Sequence, residues 1–527
     1  MRNLTRFVLS AAMALPVLGA GAQSLVLLHT NDTHSHIDAD KGVGGVLQRK
    51  AIADSVRAAE KNVLMIDAGD IVQGSLYYKL FHGEVEYPLM GLLGYDIQIL
   101  GNHEFDNGVD ELAKYYTKQG PVKLASNYSF THPELKNVFE PWLIRDIDGK
   151  KVGFMGLNLN PEGIIGEANS QGVIYRDILA TADSTAKLLR DRGCSLVVAV
   201  THIGYTDDTG LNLLTDPQLA AGTSGIDIII GGHSHSLVAP GTALQNVVMN
   251  RDGKPVLIAQ TGRYGANLGY IKVDLSNPEV SRMEARMIPV AGVDSSKFDS
   301  RVKAYIAPYR HAVDSINARV IARNDLGYMM NSKKYHQSRE LTNLTADIAS
   351  LYASRMLDSI AAPGLPRKVD FAMINSGGIR LPFPQGEVTE GQVLSAFPFS
   401  NYLVVVEMKG NKLRKLIEQA VNQGGQGFSK EVVAYVYPSG KPTEVWIDGK
   451  PLDPERNYYI ATLDYLAGGG DYMTEFKNGR VVAEDSREFC APVMDFIVTC
   501  GKEGRSLPRD ERPRAGLLDE HGYLIEE

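Results

Sequence analysis

Cysteine is scarce in this chain, which has three among 527 residues. Three thiols without a CxxC spacing do not define a disulfide framework. Cys490 and Cys500 could still pair locally in an oxidising compartment, whereas Cys194 lies before an apolar run and is expected to be a small buried hydrophobe. No chemistry is assigned to any of these thiols.

Positive charge is not in excess either. The chain has 54 Lys and Arg residues against 62 Asp and Glu residues, a formal net charge of -8. Such a balance gives no general attraction for nucleic acid or for an anionic membrane, so no nucleic acid polymer is expected as a partner. An anionic substrate must instead be held locally, by metal ions and a few arginines.

An uncharged apolar stretch is found near the N-terminus, at 7–20, after Arg2 and Arg6. It is short for a membrane span of about 20 residues, and small residues follow at 20–22, so we expect a signal peptide cleaved before Gln23 rather than an uncleaved anchor. No apolar segment at the C-terminus resembles a membrane tail. The protein is therefore expected to be periplasmic or secreted, without stable membrane insertion, as a monomer or homodimer.

The length and composition indicate at least two domains, because 527 residues with 44 % apolar residues can bury large cores. After the signal segment 1–22, strand-like runs alternate with helical stretches over 23–290, which predicts an α/β domain. Apolar residues spaced three or four apart predict a linker helix over 291–325, although this helix could belong to either neighbour. A second α/β unit is predicted over 326–527.

Short blocks of His, Asp and Asn follow apolar, strand-like runs at 25–28, 63–66, 97–100, 196–200 and 226–230. The blocks are Asp32-Thr33-His34, Gly69-Asp70, Gly101-Asn102-His103-Glu104, Thr201-His202 and Gly232-His233-Ser234-His235. Open α/β sheets place their sites at the carboxyl ends of strands, and this mixture of side chains suits a divalent metal. Any single block could be a turn or a hydrogen-bonded histidine, but the full set indicates a metal site.

This arrangement resembles the calcineurin-like metallophosphoesterases and, within them, the 5'-nucleotidase family of secreted nucleotidases. Its most specific segment is Gly101-Asn-His-Glu-Phe-Asp106. The resemblance implies an N-terminal domain of layered α/β/β/α architecture, a connecting helix and a second α/β domain that binds substrate. It also implies two divalent ions, for which the imidazole ligands favour Zn, Mn or Co.

The resemblance assigns each ion four ligands, with one residue shared. One set is Asp32, His34, Asp70 and His235, and the other is Asp70, Asn102, His202 and His233. His103, oriented by Asp106, would stabilise the phosphoryl transition state, whereas the alternative makes Asp106 only a helix N-cap. His29 and His36 are expected to make hydrogen bonds behind the ligands.

The second domain carries segments that resemble the family's substrate site. Asn375-Ser-Gly-Gly-Ile-Arg380 offers close backbone approach at Gly377 and a guanidinium for phosphate at Arg380. Arg339 is a further phosphate candidate, although it lies three residues before the helix start, where the family has four or five.

A nucleoside clamp is implied by four further positions. Phe399 and Tyr465 would stack on the base, and Asn401 and Asp471 would hydrogen-bond base or ribose. The family usually has Phe where Tyr465 stands, so the phenol adds a polar group. The structural alternative makes Phe399 a core residue and the glycine run 468–470 a turn.

The implied activity is removal of the 5'-phosphate from nucleoside monophosphates. The alternatives are a 2',3'-cyclic-nucleotide phosphodiesterase with 3'-nucleotidase activity, a nucleotide-sugar pyrophosphatase, and a non-catalytic exported nucleotide-binding or adhesive protein. Degenerate relatives usually lose metal ligands, and here every ligand position is filled, which favours an enzyme.

Overall fold

The computed structural model describes residues 23–207, 212–328, 340–424, 426–437, 444–510, 512–519, 521 and 523–525. The expected signal segment 1–22 and the candidate Arg339 lie outside the described residues. Within the described ranges, no helix combines the length and the apolar character needed to cross a membrane.

The strands of the first domain are short, buried and separated by helices. They are β1 (Ser24–Thr30), β2 (Val63–Asp67), β3 (Ile97–Gln98), β4 (Val122–Lys123), β5 (Tyr128–Phe130), β6 (Leu143–Ile147), β7 (Lys150–Asn158), β8 (Val173–Tyr175), β9 (Cys194–His202), β10 (Ile228–Ile230), β11 (Leu237–Val238), β12 (Val247–Met249), β13 (Pro255–Thr261), β14 (Asn267–Asp274) and β15 (Glu284–Pro289). The helices are α1 (Val46–Ala59), α2 (Leu76–Phe81), α3 (Glu86–Leu93), α4 (Gly108–Tyr115), α5 (Ile178–Asp191), α6 (Asp216–Gly222) and α7 (Ser300–Asn317).

The first domain has two main sheets. One runs in the order β15-β14-β1-β2-β3-β4, and the other in the order β11-β13-β10-β9-β7-β6 with β12 beside β13. The strands β1, β2 and β3 are parallel to one another, as are β7, β9, β10 and β13. Their carboxyl ends therefore share one edge in each sheet.

The layering follows from the alternation of side chains along β1. Leu25 and Leu27 join a core that also contains residues of β7 and β9, so they face the second sheet. Val26 and Leu28 instead join a core with α1, α2 and α3. Because both faces of the strand are covered, its sequence is a continuous apolar run. The predicted α/β/β/α architecture is confirmed.

Helix α7 packs on the first domain. Its Val302 and Ile306 are fully buried, and Val313 is nearly so, in the same core as Val26 and Leu28. The helix is shorter than the predicted 291–325, because the strand Val320–Asn324 follows it, and its amphipathic pattern is explained by its burial on the first sheet.

The second domain follows α7. Its strands are β16 (Val320–Asn324), β17 (Phe371–Ile374), β18 (Gly386–Thr389), β19 (Tyr402–Lys409), β20 (Gly427–Phe428), β21 (Val432–Val436), β22 (Glu444–Ile447), β23 (Lys450–Pro451), β24 (Asn457–Leu463), β25 (Arg480–Glu488) and β26 (Ala515–Leu517). Its helices are α8 (Glu340–Ile360), α9 (Glu390–Ala396), α10 (Gly410–Gln423), α11 (Asp464–Ala467) and α12 (Cys490–Lys502).

The central sheet of this domain runs in the order β20-β17-β24-β19-β25. On one face, Leu403 and Val405 of β19 pack against α8 and α12. On the other face, Val404 and Val406 pack against α10 and the sheet β23-β22-β21-β26. Helices therefore cover the central sheet on one side, and a helix with a second sheet covers the other, so the predicted second α/β domain is confirmed.

The cysteines are all buried and unpaired. Cys490 and Cys500 begin and nearly end α12, and ten residues of helix separate them by about 15 Å, far beyond the reach of a disulfide. The suggested local pairing is therefore wrong. Cys194 packs in the apolar core beside α5, as expected.

Candidate active site

The ligand residues gather where the parallel strands end. Asp32 follows β1, Asp70 follows β2, Asn102 follows β3, and His202 is the last residue of β9. The His233–His235 block follows β10 in the second sheet. The two sheets thus place all five blocks at one edge of the domain, as expected for carboxyl ends of parallel strands.

The first cluster consists of Asp32, His34 and His235, whose ligand atoms all lie within 4.8 Å of one another. Nε2 of His235 lies 2.9 Å from Nε2 of His34 and 3.4 Å from Oδ1 of Asp32. Two imidazole nitrogens this close, facing a carboxylate, are arranged to share a cation.

The second cluster consists of Asp70, His202 and His233, again within 4.8 Å of one another. Asn102 joins it, because its Oδ1 lies 2.9 Å from Nδ1 of His233. The carboxylate of Asp70 also reaches the first cluster, since Oδ2 is 3.2 Å from Nε2 of His202 and 3.9 Å from Nε2 of His34. Asp70 is therefore placed between the two clusters.

His202 provides the test of whether these residues fit a metal. Its Nδ1 lies 2.6 Å from the carbonyl oxygen of Ala68, which fixes the proton on that nitrogen. Nε2 is then a buried acceptor, and it has no hydrogen-bond partner among the described residues. This imidazole nitrogen faces the carboxylates of Asp70 at 3.2 Å and Asp32 at 4.0 Å, where Zn or Mn could replace a proton, so the residues fit the group.

The charges of the cluster favour a cation as well. Burial lowers the pKa of His202, but Asp70 and Asp32 outweigh it and raise that pKa to about 10. Burial would raise the pKa of Asp70, but His202, His103 and His34 together hold it well below its usual range. Asp70 is therefore ionised, and the cluster attracts a proton or a metal ion.

The backbone at the ligands is strained. Asp32, His34, Asp70, His233 and His235 have φ values of 50, 46, 58, 79 and 56°. This left-handed region costs a non-glycine residue of the order of 1 kcal/mol or more. Left-handed turns direct these side chains inward from loops just beyond the strands.

Glycine is required beside the cluster at Gly232. A Cβ atom there would lie 2.8 Å from Nδ1 of His202 and 2.9 Å from the carbonyl oxygen of Ala68. The bond that fixes the His202 ring therefore depends on a residue without a side chain at position 232.

Buried carboxylates hold the ligand loops from behind, and Glu104 is the clearest case. It accepts hydrogen bonds from the backbone N–H groups of Asp70 at 3.0 Å and Ile71 at 2.9 Å, and from that of Gly101. Burial and the nearby Asp70 raise the pKa of Glu104 to about 7. This role of Glu104 was not predicted, because nothing local in the sequence indicates which backbone groups it meets.

His103 and Asp106 form a pair beside the clusters. Nδ1 of His103 lies 2.9 Å from Oδ2 of Asp106, and Gln73 donates to the same oxygen at 2.7 Å. Asp106 is not a helix N-cap, since Asn107 occupies the N-cap position of α4, without a side-chain capping hydrogen bond. Burial lowers the pKa of His103, but Asp106 and Asp70 outweigh it and raise the pKa.

His103 forms a third group of possible metal ligands with His34 and Asp70, because its ligand atom lies within 4.8 Å of theirs. Its Nε2, however, is 3.3 Å from Nη2 of Arg380. A metal ion at Nε2 would face this guanidinium directly, and the repulsion between cations argues against ligation.

His29 and His36, the two histidines near the first block, differ in their hydrogen bonding. Nδ1 of His36 lies 2.9 Å from the carbonyl oxygen of His34, and its ring stacks on Tyr264 at 3.9 Å. His29 is buried, and within the described residues neither of its ring nitrogens has a partner. The expected hydrogen bond is therefore observed for His36 and not for His29.

A cavity of about 480 Å³ joins the metal cluster to the second domain. First-domain residues on its wall include Asp70, Asn102, His103, Asp106, His233 and His235. Every described substrate candidate also lines it, namely Asn375, Gly377, Arg380, Phe399, Asn401, Tyr465 and Asp471. The structure thus brings together residues up to several hundred positions apart in the chain.

Contacts within the cavity define its polar geometry. Nδ2 of Asn375 donates to Oδ2 of Asp471 at 2.7 Å, and the hydroxyl of Tyr465 lies 3.1 Å from Oδ1 of Asp471. The guanidinium of Arg380 lies over the ring of Phe399, at 5.0 Å from its centroid. Phe399 is therefore at the cavity wall and not only in the core.

Two further residues of the first domain line the cavity without having been predicted. Ile164 contributes a carbonyl oxygen 3.3 Å from the Tyr465 hydroxyl. Arg263 lies beside His235, with Nη1 3.4 Å from its Nδ1. Both belong to loops without a motif, so only their position in space identifies them.

Two family models match this chain. The calcineurin-like phosphoesterase model matches residues 25–237, and the model of the 5'-nucleotidase C-terminal domain matches residues 320–478. The first match contains every ligand residue of both clusters, and the second contains the substrate candidates from Asn375 to Asp471.

Similar proteins share this organisation. A 5'-nucleotidase precursor from Thermus thermophilus superposes with a TM-score of 0.77 at 28 % identity, over 94 % of this chain and 99 % of that one. The 5'-nucleotidase of Rattus norvegicus is 25 % identical, over 93 % of this chain and 91 % of its own length.

The trifunctional nucleotide phosphoesterase protein YfkN of Bacillus subtilis is 26 % identical over 96 % of this chain, which spans 36 % of the length of that protein. Domain order, ligand clusters and both matched models agree: the chain joins a calcineurin-like phosphoesterase domain to a 5'-nucleotidase C-terminal domain, and it is similar to 5'-nucleotidases over nearly its whole length.

Proposed function

We propose that this chain is an exported two-metal phosphohydrolase that removes the 5'-phosphate from nucleoside monophosphates and releases nucleoside and phosphate. The observation that carries the proposal is the shared cavity, which joins the metal-ligating clusters to aromatic and carboxylate residues of the second domain. A phosphomonoester at the clusters would extend its leaving group toward Phe399 and Tyr465, which suits a nucleoside.

Each ion would have its own ligands and share one more. Asp32, His34 and His235 would hold one ion, Asn102, His202 and His233 the other, and Asp70 both. When bound, two divalent ions lower the pKa of a water molecule and neutralise phosphoryl oxygens. The remaining steps depend on side chains that meet the substrate directly.

His103 and Arg380 would stabilise the phosphoryl group. Asp106 keeps a proton on Nδ1 of His103 and favours the imidazolium, so that Nε2–H points at the same region as the guanidinium. The imidazolium of His103 and the guanidinium of Arg380, whose nitrogens are 3.3 Å apart, repel each other. An oxyanion that accepts hydrogen bonds from both groups would offset this repulsion. The charge that develops on the phosphoryl and leaving oxygens would occupy that position.

Phe399 and Tyr465 would stack on the base, while Asn375, Gly377, Asn401 and Asp471 would contact the rest of the nucleotide. Stacking of one base contributes roughly 1–3 kcal/mol. Export is proposed from the basic and apolar residues at 2–20.

The test is a substrate panel on the full chain with Mn or Zn, and with a chelator as control. AMP should be hydrolysed with a higher kcat/KM than 3'-AMP, 2',3'-cyclic AMP, a UDP-sugar or a small aryl phosphate. Preference for the cyclic nucleotide or the UDP-sugar would replace the proposal by one of those activities. Chelator-resistant hydrolysis, or no hydrolysis at all, would contradict the two-metal mechanism.

A further inference from the structure

The hydroxyl group of Tyr465 makes contacts that a phenylalanine could not make. It lies 3.1 Å from Oδ1 of Asp471, and it accepts a hydrogen bond from the backbone N–H of Asp471 at 3.0 Å. The ring itself is fixed, because a Cβ atom on Gly470 would lie 2.5 Å from its edge. The phenol is thus held rigidly against one acidic residue.

Asp471 is held from its other side as well. Nδ2 of Asn375 donates to Oδ2 at 2.7 Å, so each carboxylate oxygen has one fixed donor. A carboxylate oxygen has two acceptor positions, and each oxygen of Asp471 therefore retains one. Asp471 and Tyr472 are also left-handed, with φ values of 50 and 56°, a strained backbone that the Tyr465 hydroxyl helps to hold.

The same hydroxyl reaches the first domain. It lies 3.3 Å from the carbonyl oxygen of Ile164, a second and longer contact beside the hydrogen bond that it donates to Oδ1 of Asp471 at 3.1 Å. Burial and the nearby Asp471 raise the pKa of Tyr465 well above its usual value, so the group remains a donor.

We propose that the Tyr465 hydroxyl is a specificity-determining positioning group, which aims the Asp471 carboxylate at the sugar hydroxyls of a ribonucleotide. The free acceptor positions on Asp471 match the two adjacent hydroxyl donors of ribose, and the Ile164 contact ties this arrangement to the domain that carries the metal clusters. The proposal rests on the proposed nucleotidase function and specifies which part of the nucleotide is recognised.

The phenol ring and the phenol hydroxyl have separable effects. Tyr465→Phe keeps the ring and its stacking, but it removes the partner of two groups on Asp471, the carboxylate and the backbone N–H. The carboxylate then loses its fixed direction, and a hydroxyl donor on the substrate no longer meets an oriented acceptor.

The experiment compares three substrates on the metal-loaded full chain: AMP, 2',3'-dideoxy-AMP and a small aryl phosphate. Tyr465→Phe should lower kcat/KM for AMP about tenfold, mainly through KM, and leave the other two substrates nearly unchanged. The ratio between AMP and the dideoxy analogue is the readout, since a general loss of structure would lower all three rates together.

Tyr472→Phe is the matched control, because its hydroxyl is buried on the same loop and has no hydrogen-bond partner among the described residues. That variant should keep the wild-type ratio. Asp471→Asn should lower the ratio as Tyr465→Phe does, and the double variant should lose no more than either single variant, since the two groups act as one unit.

An unchanged ratio in Tyr465→Phe would overturn the inference, as would additive losses in the double variant. If Tyr465→Phe does not fold, Asp471→Asn still tests the ribose contact, and an unchanged ratio in that variant would overturn the inference equally. A wild-type protein that fails to prefer AMP over the aryl phosphate would instead refute the proposed function.

Discussion

The guanidinium of Arg380 lies 3.3 Å from Nε2 of His103, so a cation of the second domain meets an imidazole of the first. Asp106 holds the opposite nitrogen of that imidazole at 2.9 Å. The contact crosses the cavity at the point where the two domains approach the metal clusters, and a metal ion on that nitrogen would face the guanidinium.

His103→Ala should keep both metal ions and lower kcat by roughly 10²-fold or more, the effect of a positioned charge or proton donor. Metal content by elemental analysis and turnover on AMP are the measurements. His132→Ala is the control and should behave as wild type. His132 belongs to neither metal cluster, and its Nε2 lies 3.3 Å from Oδ1 of Asp110. Loss of metal from His103→Ala would instead make His103 a ligand.

Asp70→Asn should lower activity more than a change at any other ligand, because Asp70 faces both clusters. Bound metal should fall to about one ion or none, since an amide cannot supply the bridging charge. Asp252→Asn is the control and should change neither activity nor metal content. Asp252 lies in an exposed turn before β13, whereas the site lies at the other end of that strand. Two bound ions and a near-normal rate in Asp70→Asn would refute the assigned bridge.

Glu104→Gln should lower metal affinity about 10- to 100-fold, although Glu104 is not a ligand. The amide has one acceptor oxygen where the carboxylate has two, so at least one backbone N–H from Asp70, Ile71 or Gly101 loses its partner. Metal titration and thermal unfolding would measure the effect, with exposed Glu134→Gln as control. Unaltered affinity would mean that the loops hold their shape without Glu104.

The ion pair between Lys79 and Glu488 joins the two domains at 2.5 Å and should be sensitive to acid. Burial would raise the pKa of Glu488, but Lys79 outweighs it and lowers that pKa. A carboxylate of lowered pKa stabilises the fold above its unfolded pKa and loses this contribution as the pH falls through the folded value.

The wild-type protein should therefore be more stable than Glu488→Gln at neutral pH, by at most about 1 kcal/mol, and the difference should shrink as the pH falls below the ordinary glutamate pKa of about 4.3. Thermal unfolding of both proteins across this range tests it, with the exposed Glu134→Gln variant run in parallel. A difference that persists at low pH would show that the pair does not cause it.

A fragment of residues 23–290 should fold poorly, whereas 23–319 should fold. The shorter fragment lacks α7, whose Val302 and Ile306 are fully buried on the first sheet. Removing these side chains exposes the core beneath them, at a cost of several kcal/mol. Near-UV circular dichroism and thermal unfolding of the two fragments decide the point, and equal cooperativity would contradict the role of α7.

The sequence predicted the elements whose signals are local. The apolar run 63–66 became β2, and the three-to-four periodicity of 298–316 became α7. The ligand blocks could be found because each follows such a run. The alternation of strands and helices in the first domain was predictable for the same reason, whereas the α/β/β/α layering was implied by the resemblance to the family.

What the sequence did not indicate depends on distant contacts. Glu104 meets backbone groups more than thirty residues away, and Ile164 matters only because Tyr465 approaches from the second domain. The placement of α7 on the first sheet also depends on distant contacts. An amphipathic pattern indicates that one face of a helix is buried, but it does not indicate which sheet or helix covers that face.

The left-handed backbone at Asp32, His34, Asp70, His233 and His235 is held against the preference of those residues. A related protein that is no longer under selection for hydrolysis would gain stability from glycine at these positions, because glycine adopts this conformation without steric cost. Drift would then remove the ligands early, while the apolar strands remained. Acidic and imidazole side chains at all of these positions are therefore what selection for activity, rather than for stability, leaves behind.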